Sequence, residues 1–420
     1  MKFLIKNANL VFKDCVKKKD LLTKGNIIYE IKDNIQEKEE FNVIDAKGLF
    51  CMPGIVDLHV HLRDPGFLQK ETVETGARAA LKGGITSIAC MANTNPVIDD
   101  EESLALLQKK TKKEKLHIYE IAAITKGLKG QKLTDFKKLA SLNVAGFSDD
   151  GFFVRNSKLM KIAAQEAFFL NLPIFSHCED LDLTDGGFLN EGKVSKKLNL
   201  KGIDNASEAV AVAREVALCL TYGFAIHICH VSTKQSIKLI RFAKQNGAKI
   251  SAQTCPQYFM LTDEEVLEKD ANFKMNPPLR SKEDVDEIVN AILDGTIDCI
   301  ATDHAPHEEA AKKDFETAAN GVIGLETLLS CVLTKLHHSK KMSLNKIADV
   351  LCKKPAEILR AKNCGEIAIG KEADLTIFDA NKEMVVSKED FVSKSKNSPF
   401  LGKRLKGKVL HTFCSGEKVY

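Results

Sequence analysis

The run Ile55-Val56-Asp57-Leu58-His59-Val60-His61-Leu62-Arg63 decides the fold. It alternates apolar residues with residues that carry charge or an imidazole. Period-two alternation is the mark of a strand, which places Asp57, His59 and His61 on one face. Seven more short apolar runs follow, at residues 87–92, 117–124, 145–148, 174–176, 225–231, 249–254 and 299–301. Segments of helical period lie between most of them, at 71–82, 157–169, 207–220, 234–245 and 282–293. Strands alternating with helices predict an α/β protein with a parallel sheet. Eight such units over about 310 residues predict a (β/α)8, TIM-like barrel with insertions. Both ends of the chain read instead as short strands broken by turns. They predict a small β-sandwich-like domain built from residues 1–52 plus 366–420, beside a barrel of residues 53–365.

Composition narrows the function classes. The chain has 420 residues, of which 44% are hydrophobic, enough for a large core and too many for global disorder. Lys and Arg number 61 against 57 Asp and Glu, a net charge of +4. The densest basic run, 109–115, is interrupted by Thr111 and Glu114 and reads as a solvated helix face. These features argue against a nucleic-acid partner. No apolar stretch approaches the ~18 residues of a membrane helix. The opening MKFLIKNANLVF has a lysine within its apolar part and no small-residue cleavage site, unlike a signal peptide. The 12 cysteines include no Cys-x-x-Cys pair. They predict reduced, buried thiols in a cytoplasmic protein.

Barrel active sites gather at the carboxyl ends of the strands. Here the first run ends in His59, His61 and Arg63, the second at Asn93, and the fourth at Asp149-Asp150-Gly151. The fifth ends at His177, the sixth at His230, and the eighth at Asp303-His304-Ala305-Pro306-His307. His59 and His61 make a half-site for zinc, with Asp57 placed to orient one of them. His227 and His230 face opposite ways, so His230, nearer the strand end, is the ligand and His227 a core histidine. Asp303 closes an apolar strand, where a carboxylate needs a metal or an ion pair. Of Asp149 and Asp150, one is expected to bridge metals and the other to be structural. Four histidines and two aspartates exceed one tetrahedral zinc and suit two ions sharing a carboxylate and a hydroxide. Nitrogen and oxygen donors favour zinc, with manganese or cobalt as substitutes. Arg63 offers a planar fork for a carboxylate, with His307 and Asn93 as its neighbours.

The stretch from Gly54 through Asp57, His59, His61, Arg63 and Pro65 to Gly66 resembles the opening signature of dihydroorotases in the amidohydrolase superfamily. Met91-Ala92-Asn93-Thr94, Gly146-Phe-Ser-Asp149-Asp150-Gly151, Ser176-His177-Cys178-Glu179 and Cys229-His230-Val231-Ser232 are similar to its later blocks, in order. So are Met275-Asn276-Pro277-Pro278-Leu279-Arg280, Ala301-Thr302-Asp303-His304-Ala305-Pro306-His307, Gly321-Val-Ile-Gly324-Leu-Glu326 and Gly370-Lys-Glu-Ala-Asp374-Leu.

The resemblance implies a barrel flanked by a β-sandwich half and the reversible cyclisation of N-carbamoyl-L-aspartate to L-dihydroorotate and water, in pyrimidine synthesis. It implies that His59, His61 and Asp303 bind one zinc, that His177 and His230 bind the other, and that Asp150 bridges them where many relatives use a carbamylated lysine. Asp303 is then the general base and acid for a metal-bridged hydroxide. Arg63, Asn93 and His307 hold the substrate's carboxylate, and Asn276 with the backbone of Asn320 and Gly321 meets the ring.

Two blocks depart from the family pattern. Ala92 stands where the family has proline, and Gln253-Thr-Cys-Pro256-Gln257-Tyr258 stands where it usually has Glu-x-x-Pro-His-His. The second is more like dihydropyrimidinases and hydantoinases. Those enzymes and allantoinase are the nearest rival reading; a non-catalytic scaffold for aspartate transcarbamoylase is the rival from another class. The expected partner is the small-molecule substrate, with no nucleic acid and no membrane. A homodimer and a transcarbamoylase complex are both left open. The segments 184–202 and 308–320 are the candidates for a closing loop.

Overall fold

The computed structural model describes residues 1–362 and 364–420. Eight parallel strands form the barrel: Ile55–Val60, Ile85–Cys90, His117–Ala122, Gly146–Phe147, Ile174–Ser176, Ile226–Ile228, Ile250–Thr254 and Cys299–Ile300. They pair in chain order, and each overlaps one of the expected runs. A parallel bridge between Val60 and His304 joins the eighth unit to the first, with His61 N donating to His304 O at 2.9 Å.

The helices follow the apolar periodicity. Lys234–Gln245 buries Ile237, Ile240 and Ala243, the three-residue spacing of one helical face. Ser157–Phe169, Ala206–Tyr222 and Lys282–Asp294 lie where the pattern puts them. The expected helix over 71–82 is shorter, Val73–Lys82, because Thr72 caps it by accepting from Thr75 N. Glu71 is thereby released for a long-range role.

The first strand does not keep one alternation along its length. Its pairing with the second strand shifts register between Asp57 and Val60. Val56 and Leu58 pack with Ala89, Phe175, Cys229 and Cys299 inside the barrel, whereas Val60 packs in the larger cluster with the helical Ala77 and Ala80. A bulge of this kind swaps the faces of the residues that follow it. It turns His59 and His61 inward and takes Asp57 off their face.

The terminal strands Phe3–Val11, Val16–Lys24, Ile27–Lys32, Asn42–Asp45, Phe50–Pro53, Leu375–Val385, Arg404–Cys414 and Glu417–Lys418 are joined in one sheet. Phe50–Pro53 pairs antiparallel with Leu375–Val385, which stitches the two ends of the chain together. Phe3 and Phe413 lie three strands apart in the sheet order, roughly 14 Å along a flat sheet. Their rings are nonetheless 5.1 Å apart, edge to face, so the sheet curls over its own core.

The segment between Leu375–Val385 and Arg404–Cys414 reaches back over the barrel mouth. Glu71 accepts from Lys394 N at 3.1 Å and from the Ser393 hydroxyl. Asn397 Oδ1 accepts from His307 N at 3.1 Å, while its Nδ2 donates to Ala305 O and Gly321 O. Among the described residues all twelve cysteines are free thiols, ten of them buried. No described helix is long and apolar enough to cross a membrane.

Candidate metal centre and substrate cavity

Asp150 sits at the middle of the barrel mouth. Its Oδ1 lies 3.1 Å from His59 Nε2 and 3.6 Å from both His177 Nδ1 and His230 Nε2; its Oδ2 lies 3.4 Å from His61 Nε2. Asp303 Oδ1 lies 3.2 Å from His61 Nε2 and 3.6 Å from His59 Nε2. The donors form two triads able to hold metal, His59–His61–Asp150 and Asp150–His177–His230, which share the one carboxylate. Four strands supply them, and a fifth brings Asp303 beside them, so the cluster exists only once the barrel closes.

The donor set fits a pair of divalent cations. His59 Nε2 and Asp150 Oδ1 are buried and have no hydrogen-bond partner. His177 Nδ1 and His230 Nε2 approach to 2.8 Å, a contact that needs a proton or a cation between two lone pairs. Burial alone raises a carboxyl and lowers an imidazole. Here burial is outweighed: His59 and its neighbours hold Asp150 well below the usual carboxylate range, and the Asp150 and Asp303 charges hold His59 well above the usual imidazole range. Cations in this cluster would displace those protons.

Neighbouring side chains fix the ring orientations. His61 Nδ1–H donates to Asn93 Oδ1 at 2.8 Å, which leaves Nε2 facing the two aspartates. His177 Nε2–H donates to Glu179 Oε2 at 2.9 Å, which leaves Nδ1 facing Asp150. The expectation that Asp57 orients a histidine ring is corrected. The bulge turns Asp57 away, and its carboxylate accepts from Thr302 N, the Thr302 hydroxyl at 2.6 Å and His59 N. It ties the first strand to the eighth. Asp149 accepts from Thr125 N at 2.9 Å and from the Thr125 hydroxyl, and burial pushes its carboxyl up to about 6. Asp149 is thus the structural member of the pair, and Asp150 the central one.

A cavity of about 220 Å³ opens beside the cluster. His61, Asp150, His177, His230 and Asp303 line it, together with Arg63, Asn93, Asn276, His307, Asn320 and Gly321. His59 lies behind it, fully buried. Arg63 Nε donates to Pro306 O at 3.3 Å, and its Nη2 lies 3.4 Å from His307 Nε2. Burial lowers the Arg63 guanidinium to about 10, so it stays charged at neutral pH. Burial and the Arg63 charge push His307 down to about 2, and its Nε2–H donates to Asn320 O at 2.9 Å. Asn276 Nδ2 donates to Glu179 Oε1 at 2.9 Å. Asn93 is shared: its carbonyl serves His61, and its Nδ2 donates to Asp150 O at 3.3 Å. Arg63, His230 and Asp303 have φ of 60°, 34° and 51°, a left-handed conformation that costs side-chain-bearing residues about 1–3 kcal/mol each.

Four contributors were missed from the sequence. Glu179 had a signal, standing two residues after His177. Gln253 lies 2.9 Å from His59 Nδ1. Glu71 and Asn397 brace the mouth across more than 300 and 90 residues of chain, and no local pattern marks them.

A barrel of this kind, with histidines and aspartates at its strand ends around a shared carboxylate, defines a hydrolase of the amidohydrolase class. Comparison with known proteins bears this out. The family described as "Dihydro-orotase-like" matches residues 48–236. A dihydroorotase of Acetivibrio thermocellus is 44% identical over 95% of this chain and 94% of its own length. A dihydroorotase of Ruminiclostridium cellulolyticum is 45% identical over 100% of this chain and 98% of its own. The solved structure of an L-hydantoinase (dihydropyrimidinase) from Arthrobacter aurescens superposes with a TM-score of 0.89 at 26% identity, covering 99% of this chain and 95% of that one. The chain belongs to the dihydroorotase family.

Proposed function

We propose that this protein is a dihydroorotase that interconverts L-dihydroorotate and N-carbamoyl-L-aspartate, holding two zinc ions at the centre described above. The observation that carries the reading is the placement of a half-buried arginine in the same cavity as the metal-binding cluster. A cyclic amide whose ring also carries a carboxylate needs both. His59, His61 and Asp303 would hold one ion, His177 and His230 the other, and Asp150 would lie between. Bound divalent cations supply Lewis acidity and a water ionised near neutral pH.

The chain's own groups do the rest. Arg63 pairs with the substrate carboxylate, and the bond from its Nε to Pro306 O holds the guanidinium in place. Asn276 and the backbone at Asn320 and Gly321 border the ring. This positioning removes rotational freedom before reaction. Asp303 is buried, but the His59 and His61 rings beside it hold its carboxyl below the usual range, so it enters the reaction ionised. In the hydrolytic direction the oxygen of water adds to the amide carbonyl carbon. Asp303 takes the water's proton and delivers it to the ring nitrogen as the carbon–nitrogen bond breaks, a base that becomes an acid.

The Pro256-Gln257-Tyr258 departure does not favour a hydantoinase. Tyr258 is buried with its hydroxyl donating to Pro277 O at 2.8 Å, and Gln257 Nε2 donates to Thr302 O at 3.4 Å. Neither borders the cavity. The full donor set supports an active enzyme over a scaffold. The test is turnover of L-dihydroorotate, 5,6-dihydrouracil and hydantoin by purified, zinc-loaded protein. Dihydroorotate should be hydrolysed far faster than the other two; equal rates, or a preference for hydantoin, would overturn the assignment.

A further inference from the structure

Asn276, Asn320 and Gly321 border the cavity, yet none of them lies in a helix or a strand. Their main-chain groups must be held by something other than a regular ladder. Side chains hold three successive carbonyls. Ala319 O accepts from Lys312 Nζ at 2.9 Å, Asn320 O from His307 Nε2 at 2.9 Å, and Gly321 O from Lys312 Nζ and Asn397 Nδ2, both at 3.0 Å. Lys312 Nζ also donates to Lys274 O at 2.9 Å, two residues before Asn276. An ammonium has three N–H donors and no acceptor, so these three carbonyls use all of them. Gly321 N donates to the same Lys274 O at 3.2 Å and joins the two stretches a second time. Lys274 returns the contact. It is buried over the rings of Phe188 and Phe315, and its Nζ donates to Glu316 O at 2.7 Å. Each lysine thus reaches from its own stretch to a main-chain carbonyl of the other. Gly321 has a φ of 136°, and a Cβ there would lie 2.7 Å from Ala305 Cβ and 2.8 Å from Ala305 O. Only glycine fits so close an approach, and glycine by itself leaves the backbone free to move.

We propose that Lys312 and Lys274 form a clasp that sets where the substrate ring sits. Both are positioning residues, acting through the backbone of Asn320–Gly321 and of Met275–Asn276. Peptide groups are planar, so holding Ala319 O also fixes the direction of Asn320 N–H, and holding Lys274 O fixes that of Met275 N–H. The insertion 308–320 becomes a wall of the cavity, tied to the stretch that carries Asn276. Lysine suits the place because its long stem reaches inward from the short turn Glu309–Lys312, and its compact ammonium can serve carbonyls from three directions, which a planar guanidinium cannot. The clasp acts on the ring, whereas the carboxylate belongs to Arg63. It therefore serves any substrate with the same ring, whether or not that ring carries a charge.

The inference rests on the dihydroorotase reading, and its test separates the two. Hydrolysis of L-dihydroorotate and 5,6-dihydrouracil, which share the ring, is followed on the zinc-loaded full chain, with metal content and Tm read on the same samples. Lys312→Met should raise KM for both substrates by about 10- to 100-fold and by the same factor within about threefold. The clasp holds the ring alike before and during reaction, so kcat should stay within about threefold, with metal content unchanged. Lys274→Met should show the same pattern. Lys313→Met, at the exposed neighbour, should leave both KM values as they are. An unchanged KM in Lys312→Met, whatever its Tm, overturns the clasp. So does a loss confined to dihydroorotate, a fall in kcat alone, a loss of metal, or an equal change in Lys313→Met. Should Lys312→Met fail to fold, Lys274→Met decides: a matched rise in both KM values supports the clasp, and unchanged values overturn it. Wild type that prefers hydantoin overturns the dihydroorotase reading alone, and the same KM comparison on hydantoin and dihydrouracil then judges the clasp. Wild type that hydrolyses none of the three overturns both.

Discussion

Replacing Arg63 with methionine tests the substrate assignment most directly. Methionine keeps the length and apolar stem of the side chain and removes the charged fork. Arg63 sits beside the metal-binding cluster with Nε committed to Pro306 O, which leaves the rest of the guanidinium to the cavity. A carboxylate paired there would gain two charge-assisted hydrogen bonds out of bulk water. Such bonds contribute about 1.5–3 kcal/mol each, so the pair is worth about 3–6 kcal/mol. That corresponds to a fall in kcat/KM for L-dihydroorotate of about 10²- to 10⁴-fold. Dihydrouracil has the same ring without the carboxylate, and its kcat/KM should change by less than about threefold. Steady-state hydrolysis of both substrates by the zinc-loaded variant provides the comparison. Equal losses on the two substrates would refute the pairing and move the assignment to a hydantoinase.

Asp303→Asn should fold and retain at least one metal ion while kcat drops by about 10²- to 10⁴-fold, read from metal analysis and turnover on the same sample; full activity would end its role as proton carrier. Removing metal with a chelator should abolish turnover, and zinc, manganese or cobalt should restore it; because the ions bind only the folded chain, Tm should fall on stripping and recover on reloading. Thr302→Val deprives the buried Asp57 of its hydroxyl donor and should cost about 1–3 kcal/mol in a urea titration. His117 sits 3.0 Å from Asp374 Oδ2 and, against the pull of burial, that carboxylate and Cys414 raise it to about 11. A pKa raised on folding stabilises fully below the unfolded value of about 6.5 and is lost as pH rises toward the folded one. Wild type should therefore lose more stability than His117→Gln between neutral and alkaline pH, by up to about 1 kcal/mol per pH unit; parallel urea midpoints for the two would refute it.

The barrel and its candidate ligands were legible because both follow short-range rules. Period-two apolar runs gave the strands, and chemistry confined to the ends of those runs singled out His59, His61, His177, His230 and Asp303, while the choice of Asp150 over Asp149 came from the family resemblance. The same rule misled at Asp57, where one bulge reverses the faces and local alternation carries no sign of it. Gln253 escaped notice because its place in the family pattern was read as a matter of substrate, whereas it packs against a ligand's far nitrogen. Asn93 was legible as a site residue but not in its double duty, since its contact with His61 depends on how the first two strands are staggered. Glu71 and Asn397 act across the whole fold, and only the return of residues 391–398 onto the barrel joins them to the mouth.

The strap formed by residues 391–398 has a consequence for how the enzyme is made. Asn397 holds His307 and Gly321 in place, yet it is translated some 75 residues after the last of the groups it steadies. Synthesis of all eight barrel strands therefore leaves the entrance unfinished until the strap itself has been made.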